Sequence, residues 1–450
     1  MADLDTYEVA YPDIKHPLMN KKQQVKERYL QSLRYYIDSF TEGGNLEKSM
    51  YRLDTLSRRL LDKFVEELPL LEEKEYRKAF GSINRTNFIS PRVLSYIYLF
   101  LFDALFVAGI EDREVGNHLC EEINTMTKNR FWRSSKRMVE KMYNGDSTFA
   151  KKRIISSEMV KAWMDAREFL TSNETKITFT ATMSAGKSTL INAIIGRELS
   201  FSKKAACTAT VMQFLTAPCK TNKFCVSDGG DEIFLMSENE VRTFTNVRTS
   251  PCKIMGHFDS PLTTQRAVMI DTPGVNSCLN PIHKKITREE LRTGTDILVY
   301  VIPVESYGSE DDYNHLHYIR KNVPYKKILF VVNMMDSCDF EDDNIEEILH
   351  DIKNHLSEIG FEEPVVCPMS AKAGLLIKKA MKGIELSDND KLNCKTFIRK
   401  FTDERLQLEE YYPNWDKKNN ESESPLRQAF VATGLPEFER LLYQYIREEQ

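Results

Sequence analysis

Ala181-Thr182-Met183-Ser184-Ala185-Gly186-Lys187-Ser188-Thr189 lies between a β-rich run, Ile177 to Thr182, and a helical run, Leu190 to Ile195. A loop of this composition, following a strand and opening a helix, aims backbone N–H groups and a helix N-terminus at one point, an arrangement that binds phosphate. There Lys187 would reach the β- and γ-phosphate oxygens and Ser188 would give a hydroxyl to Mg2+. Ala181 stands where such loops usually begin with glycine, and its methyl group is tolerated only if φ stays negative.

Downstream residues supply the remaining parts in order. Val268 to Gly274 reads as a strand ending in DTPG, which would put Asp271 near the metal and the Gly274 N–H toward the γ-phosphate. Thr208, within Ala206 to Thr210, is placed to bring a hydroxyl to the metal from a mobile loop when a triphosphate is bound, with Thr210 a rival for that role. Asn333-Met334-Met335-Asp336 closes another apolar strand with the spacing of the guanine-reading NKxD motif, Asp336 accepting from the N1 and N2 donors of the base. Ser370-Ala371-Lys372 completes the base side. Met334 stands where a lysine usually covers the base; methionine covers a purine by dispersion, not by charge, so a P-loop ATPase remains an alternative.

Together, the loop with Ser184 two residues before Gly186, the following KSTLINAIIG, Cys207-Thr208-Ala209, DTPG and roughly sixty residues between Thr208 and Asp271 resemble the dynamin-like large GTPases, especially the bacterial branch. The resemblance covers about Glu168 to Gln450. It implies hydrolysis of GTP to GDP and phosphate, a homodimer through GTPase domains that meet across the nucleotide, and membrane remodelling. It also implies a monovalent cation, K+ or Na+, held by a P-loop serine, which by position is Ser184. With the motif reading, catalysis falls to Ser184, Lys187 and Thr208, and the metal to Ser188, Thr208 and Asp271. Nucleotide contacts fall to Ala181, Met183, Ser184, Ala185, Gly186, Lys187, Ser188, Thr189, Asp271, Gly274, Asn333, Asp336, Ser370, Ala371 and Lys372. Animal dynamins carry a glutamine at the position of Met183 that orients the attacking water. Met183 cannot do this, so backbone carbonyls and the Thr208 loop would position the water, as the resemblance to bacterial members suggests.

These residues need elements to hold them. From Ile177 onward, short apolar runs alternate with helical patterns: Thr210 to Thr216, Phe224 to Ser227, Ala267 to Asp271, Ile297 to Val304, Ile328 to Asn333 and Pro364 to Pro368. This order predicts an α/β domain over 166–450, a mostly parallel sheet flanked by helices, with a helical insertion at about 373–425 and an amphipathic closing helix from Leu435. Residues 1–165 predict an all-α bundle, with apolar residues recurring at helical spacing, as in Leu30, Leu33, Tyr36 and Ile37. Within it Val93 to Ile110 is almost wholly apolar and about eighteen residues long, near the lower limit for a membrane span. Asp103 in its middle and Glu111, Asp112 and Arg113 after it favour a buried helix, leaving a membrane-inserting tip as the rival.

Length and composition bound the rest. A chain of 450 residues, 41% hydrophobic and 29% charged, has room for two domains with full cores and the make-up of a globular protein. A formal charge of -5 gives no global reason to expect nucleic acid as a partner. Nine cysteines at irregular spacing, with no CxxC pair, fit reduced thiols better than a disulfide framework or a zinc site. The acidic opening, Met1 to Asp5, lacks the basic stretch of a signal peptide, which predicts a cytoplasmic location with peripheral membrane contact as an extension. His315 and His317 read as structural groups, and Glu310 to Asp312 and Glu341 to Asp343 as solvated acidic loops. Two roles follow: a dynamin-like GTPase acting on membranes, with Val93 to Ile110 as contact, or a GTP-dependent switch whose helical domain engages a protein partner.

Overall fold

The computed structural model describes all residues except 1–3, 41–43, 86–92, 127–131, 151–153, 201–209, 222, 231, 248–249, 276–280, 339–343, 414, 416–423 and 449–450. The chain forms two compact units, one of Met1–Ser172 with Ala217–Asn222, the other of Asn173–Thr216 with Lys223–Gln450. The division falls a few residues after the expected 165/166 break because the last helix of the first unit runs on to Thr171.

The first unit is helical, as its residue spacing requires. Its helices are α1 (Gln23–Phe40), α2 (Gly44–Leu61), α3 (Glu73–Arg85), α4 (Val93–Ala104), α5 (Arg113–Met126), α6 (Trp132–Tyr143) and α7 (Ser157–Thr171). The Ser156 hydroxyl caps α7 by accepting from the Met159 N–H at 3.2 Å. α4 continues into a π-helical turn, Leu105–Gly109. Such a turn frees carbonyls from the ladder, and side chains take them up: Arg52 donates to Val107 O at 3.2 Å, Tyr143 to Gly109 O, and Arg167 to Ile110 O at 2.7 Å.

The apolar run therefore lies in the interior of this unit. Every residue from Leu99 to Ile110 is buried, packed with Tyr29, Phe149 and Trp163. Leu99 and Phe102 have 0% exposure, so the stretch Leu99 to Ile110 takes the buried-helix reading and offers no face to a membrane in this structure. Among the described residues, no helix is long and apolar enough to cross a membrane. Asp103 is tolerated there because donors surround it. The Tyr11 hydroxyl donates to Oδ1 at 2.7 Å, the Tyr29 hydroxyl to Oδ2 at 2.5 Å, and His16 Nε2 lies 3.0 Å from Oδ2. Burial beside this carboxylate drives the Tyr11 and Tyr29 hydroxyls well above the usual phenol range, so both remain donors.

The second unit is an α/β fold with a nine-stranded, mostly parallel sheet among the described residues. Its elements run β1 (Thr175–Ala181), α8 (Lys187–Ile195), β2 (Met212–Thr216), β3 (Phe224–Ser227), β4 (Ile233–Met236), α9 (Glu238–Val247), β5 (Cys252–Gly256) and β6 (Ala267–Asp271). They continue with α10 (Pro281–Arg292), β7 (Thr295–Pro303), α11 (Glu310–Asn322), β8 (Tyr325–Asn333), α12 (Ile345–Ile359), β9 (Val366–Pro368), α13 (Ala371–Met381), α14 (Asp388–Phe401), α15 (Pro425–Ala432) and α16 (Leu435–Glu448). The strand order is β4-β3-β5-β2-β6-β1-β7-β8-β9. β6, β1, β7, β8 and β9 are mutually parallel; β2 is antiparallel to β6 and parallel to β5, and β3 is antiparallel to both its neighbours.

Burial on both faces explains the unbroken apolar strands: Ile297 to Ile302 of β7 are all inside. α8 buries nearly its whole circumference, between the sheet and α13. The register aligns Phe179 with Asp271, Ala181 with Val301 and Pro303 with Asn333, so the C-terminal ends of the central strands open on one edge of the sheet. In open α/β sheets that edge is where ligands bind.

Three details depart from the expected elements. β4 and β5 are strands that the residue pattern did not announce, each only four or five residues long. Within the expected insertion, α13 forms part of the layer against α8, and α14 and α15 pack beside it. The run Glu310 to Asp312 is no solvated loop: it opens α11 behind the Ser309 cap, where the helix dipole favours acids, and Asp312 is buried with the Tyr300 hydroxyl on its carboxylate. Glu341 to Asp343 and much of 413–425, the end of the expected insertion, lie outside the described residues.

Candidate functional site

β1 delivers the chain into the loop 182–186 at Ala181, where φ is not positive, so the methyl group in place of the usual glycine is accommodated. Ser184 has φ 65°, an uncommon conformation for a non-glycine residue, and Gly186 has φ 82°. At Gly186 glycine is required twice over, because a Cβ there would also run into the Asn333 side-chain amide. α8 begins at Lys187, with its first N–H groups facing the loop.

Hydrogen-bond donors converge on Asp271, at the end of β6. Lys187 Nζ donates to Oδ1, while the Ser188 hydroxyl donates to Oδ2 at 2.9 Å and the Ser200 hydroxyl to the same oxygen at 2.5 Å. Lys187 and Asp271 are both buried, so their charges act through a medium that screens them little. The next residues are held as firmly: the Thr272 hydroxyl donates to Phe179 O at 2.7 Å, and Val275 N to Ala181 O at 3.3 Å. A Cβ on Gly274 would come within 3.3 Å of Met183 Cα, so the DTPG turn and the loop after β1 are in contact.

The other side of the site is built by Asn333, at the end of β8. Its Nδ2 donates to Ala185 O at 3.0 Å and its Oδ1 accepts from Ala371 N at 3.0 Å, joining the loop after β1 to the loop after β9. Asp336, in the turn Met335–Ser337, accepts from the Ser370 hydroxyl. Ser370 caps α13 through Ala373 N at 3.3 Å and is itself fixed by its N–H to Thr433 O at 3.1 Å. Met334, at φ 67°, lies beside Gly186. Lys372 is exposed, and Met183 is 57% exposed at the mouth of the loop.

The sequence-derived residues thus fall into one group around the loop after β1 (Ala181 to Thr189, Asp271, Gly274) and another at the ends of β8 and β9 (Asn333, Asp336, Ser370 to Lys372), bridged by Asn333. Thr208 lies outside the described residues; Thr210 is described and precedes β2. Ser200 and Asn192 were not singled out by the motifs. Asn192, on α8, accepts from Leu199 N at 2.9 Å and Ser200 N at 2.8 Å and donates to Ser200 O at 2.6 Å, so the segment leading toward Thr208 departs from beside Asp271. The signal available was the Asn within KSTLINAIIG, an amide on a helix otherwise apolar.

Hard oxygen donors, one carboxylate and two hydroxyls, suit Mg2+, which binds few protein ligands and completes its shell with water and phosphate. Among the described residues there is no cluster of three or more His, Cys, Asp or Glu side chains. The described cysteines are all free and buried.

Behind the site, His315 of α11 pairs with the Thr180 hydroxyl of β1 at 2.9 Å. Burial, with Arg288 and Lys284 adding repulsion, pushes its imidazole down to about 3. It is therefore neutral when folded and protonated below about pH 6.5 when unfolded. Stability should be fully present above that value and fall with pH below it, by about 1.4 kcal/mol per pH unit from this group alone. Comparing Tm against pH for the parent and His315→Gln checks this: parallel curves between pH 6 and 4 would refute it.

A strand, a glycine-bearing loop and a helix around a buried lysine, opposite an aspartate at a neighbouring strand end and an Asn-x-x-Asp turn beyond it, define a P-loop GTPase. Residues 177–336, within the α/β unit, match the model of the dynamin family, and the unit is a dynamin-like GTPase domain. Two solved structures described as an oligomerised bacterial dynamin pair, with a mechanism for long-range sensing and tethering of membranes, are 15% identical to the chain. One is matched over 97% of this chain and 74% of its own with a TM-score of 0.38, the other over 96% and 73% with 0.36. Era, in complex with MgGDPNP and a 16S ribosomal RNA segment, is 16% identical over 47% of this chain and 56% of its own, with a TM-score of 0.28. No curated protein matches the chain.

Proposed function

We propose that this site binds GTP with Mg2+ and hydrolyses it to GDP and phosphate. The convergence of Lys187, Ser188 and Ser200 on Asp271, with Asn333 tying that cluster to the Asp336–Ser370 pair, is the observation that carries the reading. Ser188, Asp271 and Thr208 would hold Mg2+, whose charge, when bound, offsets that of the β- and γ-phosphates. The N–H groups of Ala185, Gly186, Lys187, Ser188 and Thr189 would cradle the β-phosphate, with Ala181 and Met183 lining the loop. Lys187 exchanges its partner, releasing Asp271 and donating to phosphate oxygens, where charge grows as the γ-phosphoryl group leaves. Gly274 N–H supports the γ-phosphate, and Thr208 and backbone carbonyls align the water. Asp336 accepts from guanine N1–H and N2–H while Ser370 holds its other lone pairs in place; Asn333, Ala371 and Lys372 shape the base-side loop.

The base assignment has its own test. Asp336→Asn removes the acceptor for guanine and presents an amide donor, which suits the O2 of xanthine. GTP affinity should fall by about tenfold or more while XTP affinity rises. If calorimetry shows the parent binding ATP as tightly as GTP, or the variant leaving GTP affinity unchanged, Asp336 does not read guanine.

The exposed Met183 and the outward-facing Ser184 support dimerisation of GTPase domains across the nucleotide, with Ser184 helping to hold K+ or Na+. GTP turnover per molecule would then rise with protein concentration and depend on the monovalent cation present. A second reading is favoured by the burial of Leu99 to Ile110, the segment first considered for the membrane: a GTP-dependent switch whose helical unit engages a protein partner. Specific activity independent of concentration distinguishes it from the dimerising, membrane-remodelling enzyme.

A further inference from the structure

The turn that carries Asp336 is shaped from outside the nucleotide motifs. Lys400, in the last turn of α14, sends Nζ to Asp336 O at 2.6 Å and to Cys338 O at 3.0 Å. These carbonyls bracket Ser337 in the short turn Met335–Ser337, whose near end is held by Ser337 N and Oγ on Met334 O at 2.9 and 2.8 Å, so Lys400 ties down the far end. The turn is entered through Met334 in the left-handed region, an unfavourable conformation for a side chain of that size. The Asp336 side chain is held by Ser370 and its backbone by Lys400, so carboxylate and Cα are fixed independently.

We propose that Lys400 is a positioning residue for guanine recognition, bringing to the far end of this turn the ammonium group that Met334 does not supply at its near end. The inference rests on the GTP reading above. Two charge-assisted hydrogen bonds fix the backbone that carries Asp336, and such bonds are stronger than those between neutral groups. Without them the turn samples other conformers, and the loss falls on the contacts Asp336 makes, above all the one to the exocyclic N2 amine.

ITP, which lacks that amine, isolates the effect. The experiment measures Kd for GTP and ITP with the full chain and with Lys400→Met, Lys400→Gln and Lys400→Arg, each checked by Tm. The parent should prefer GTP over ITP by about tenfold or more, as expected for a hydrogen bond to a charged acceptor. In Lys400→Met that preference should shrink to about twofold, with ITP affinity little changed, and Lys400→Arg should restore it. Lys400→Gln, which lacks the charge, should show the same loss and serves if the methionine variant does not fold. Equal weakening of GTP and ITP, or an unaltered ratio, overturns the inference while leaving the GTP reading intact. A parent that does not distinguish GTP from ITP overturns both.

Discussion

Lys187→Ala should lower GTP turnover by about a hundredfold to a thousandfold or more, the range found when a charge-stabilising donor is removed from a water-excluded site. Lys187 is 9% exposed as a residue, and among the described residues its ammonium donates to Asp271. Removing it also leaves a buried carboxylate with two hydroxyl donors, Ser188 and Ser200, and no opposite charge. The variant should therefore be less stable without divalent cation and regain more of its Tm than the parent when Mg2+ is added. Phosphate release measured under single-turnover conditions checks the first effect. Undiminished hydrolysis would sink the assignment of Lys187 to the phosphates.

The second large effect is on stability. Lys378, on α13, donates at 3.0 Å to Ala193 O and at 3.0 Å to Ile194 O, which lie at the end of α8, and at 2.9 Å to Glu439 Oε1 on α16. The last carbonyls of a helix have no partners within it, and the dipole makes that end negative, so an ammonium is well placed there. Burial raises the Glu439 carboxyl above the usual range, against the opposing pull of Lys378. Lys378→Met strands that carboxylate and both carbonyls, at a cost of about 3 to 5 kcal/mol, which corresponds to a Tm lower by roughly 10 °C for a unit of this size. Protonation relieves a stranded carboxylate, so the deficit should shrink as pH falls. Adding Glu439→Leu should recover much of the loss, since a buried pair replaced by apolar groups is often tolerated. A Tm within a degree or two of the parent would show that α8 does not depend on this contact.

How much of this was legible in the residues depended on how local the physics was. β3 and β6 occur over the spans expected, because an apolar run between turn residues is a complete instruction for a buried strand. The strand, loop and helix around Lys187 were legible for the same reason, being contiguous from Ile177 to Ile195. β4 and β5 escaped notice because short strands take their identity from neighbours they meet in space, and Lys253 in β5 points outward where an apolar run was sought. Lys378 and Lys400 were invisible among the charges of a helical segment, since nothing local distinguishes a lysine that buries its ammonium on distant carbonyls from one in water. Asp103 was the reverse case: a carboxylate amid apolar residues pointed to a buried helix, though not to Tyr11, His16 and Tyr29 as the groups around it.

The bond from Ser370 N–H to Thr433 O has a consequence for the order in which the protein is made. The loop after β1 and Asp271 leave the ribosome early, and the bonds of Lys187, Ser188 and Ser200 to Asp271 need no residue beyond it, while the Ala185 carbonyl of the loop waits for Asn333. The loop that holds Asp336 must wait for Thr433 and Gly434, whose backbone approaches Pro368 O too closely for any side chain. On the GTP reading proposed above, a nascent chain would complete the Lys187–Asp271 side of the site before the Asp336–Ser370 side. In the finished protein, a fusion or cleavage near α16 would act on the choice of nucleotide before it acted on the chemistry.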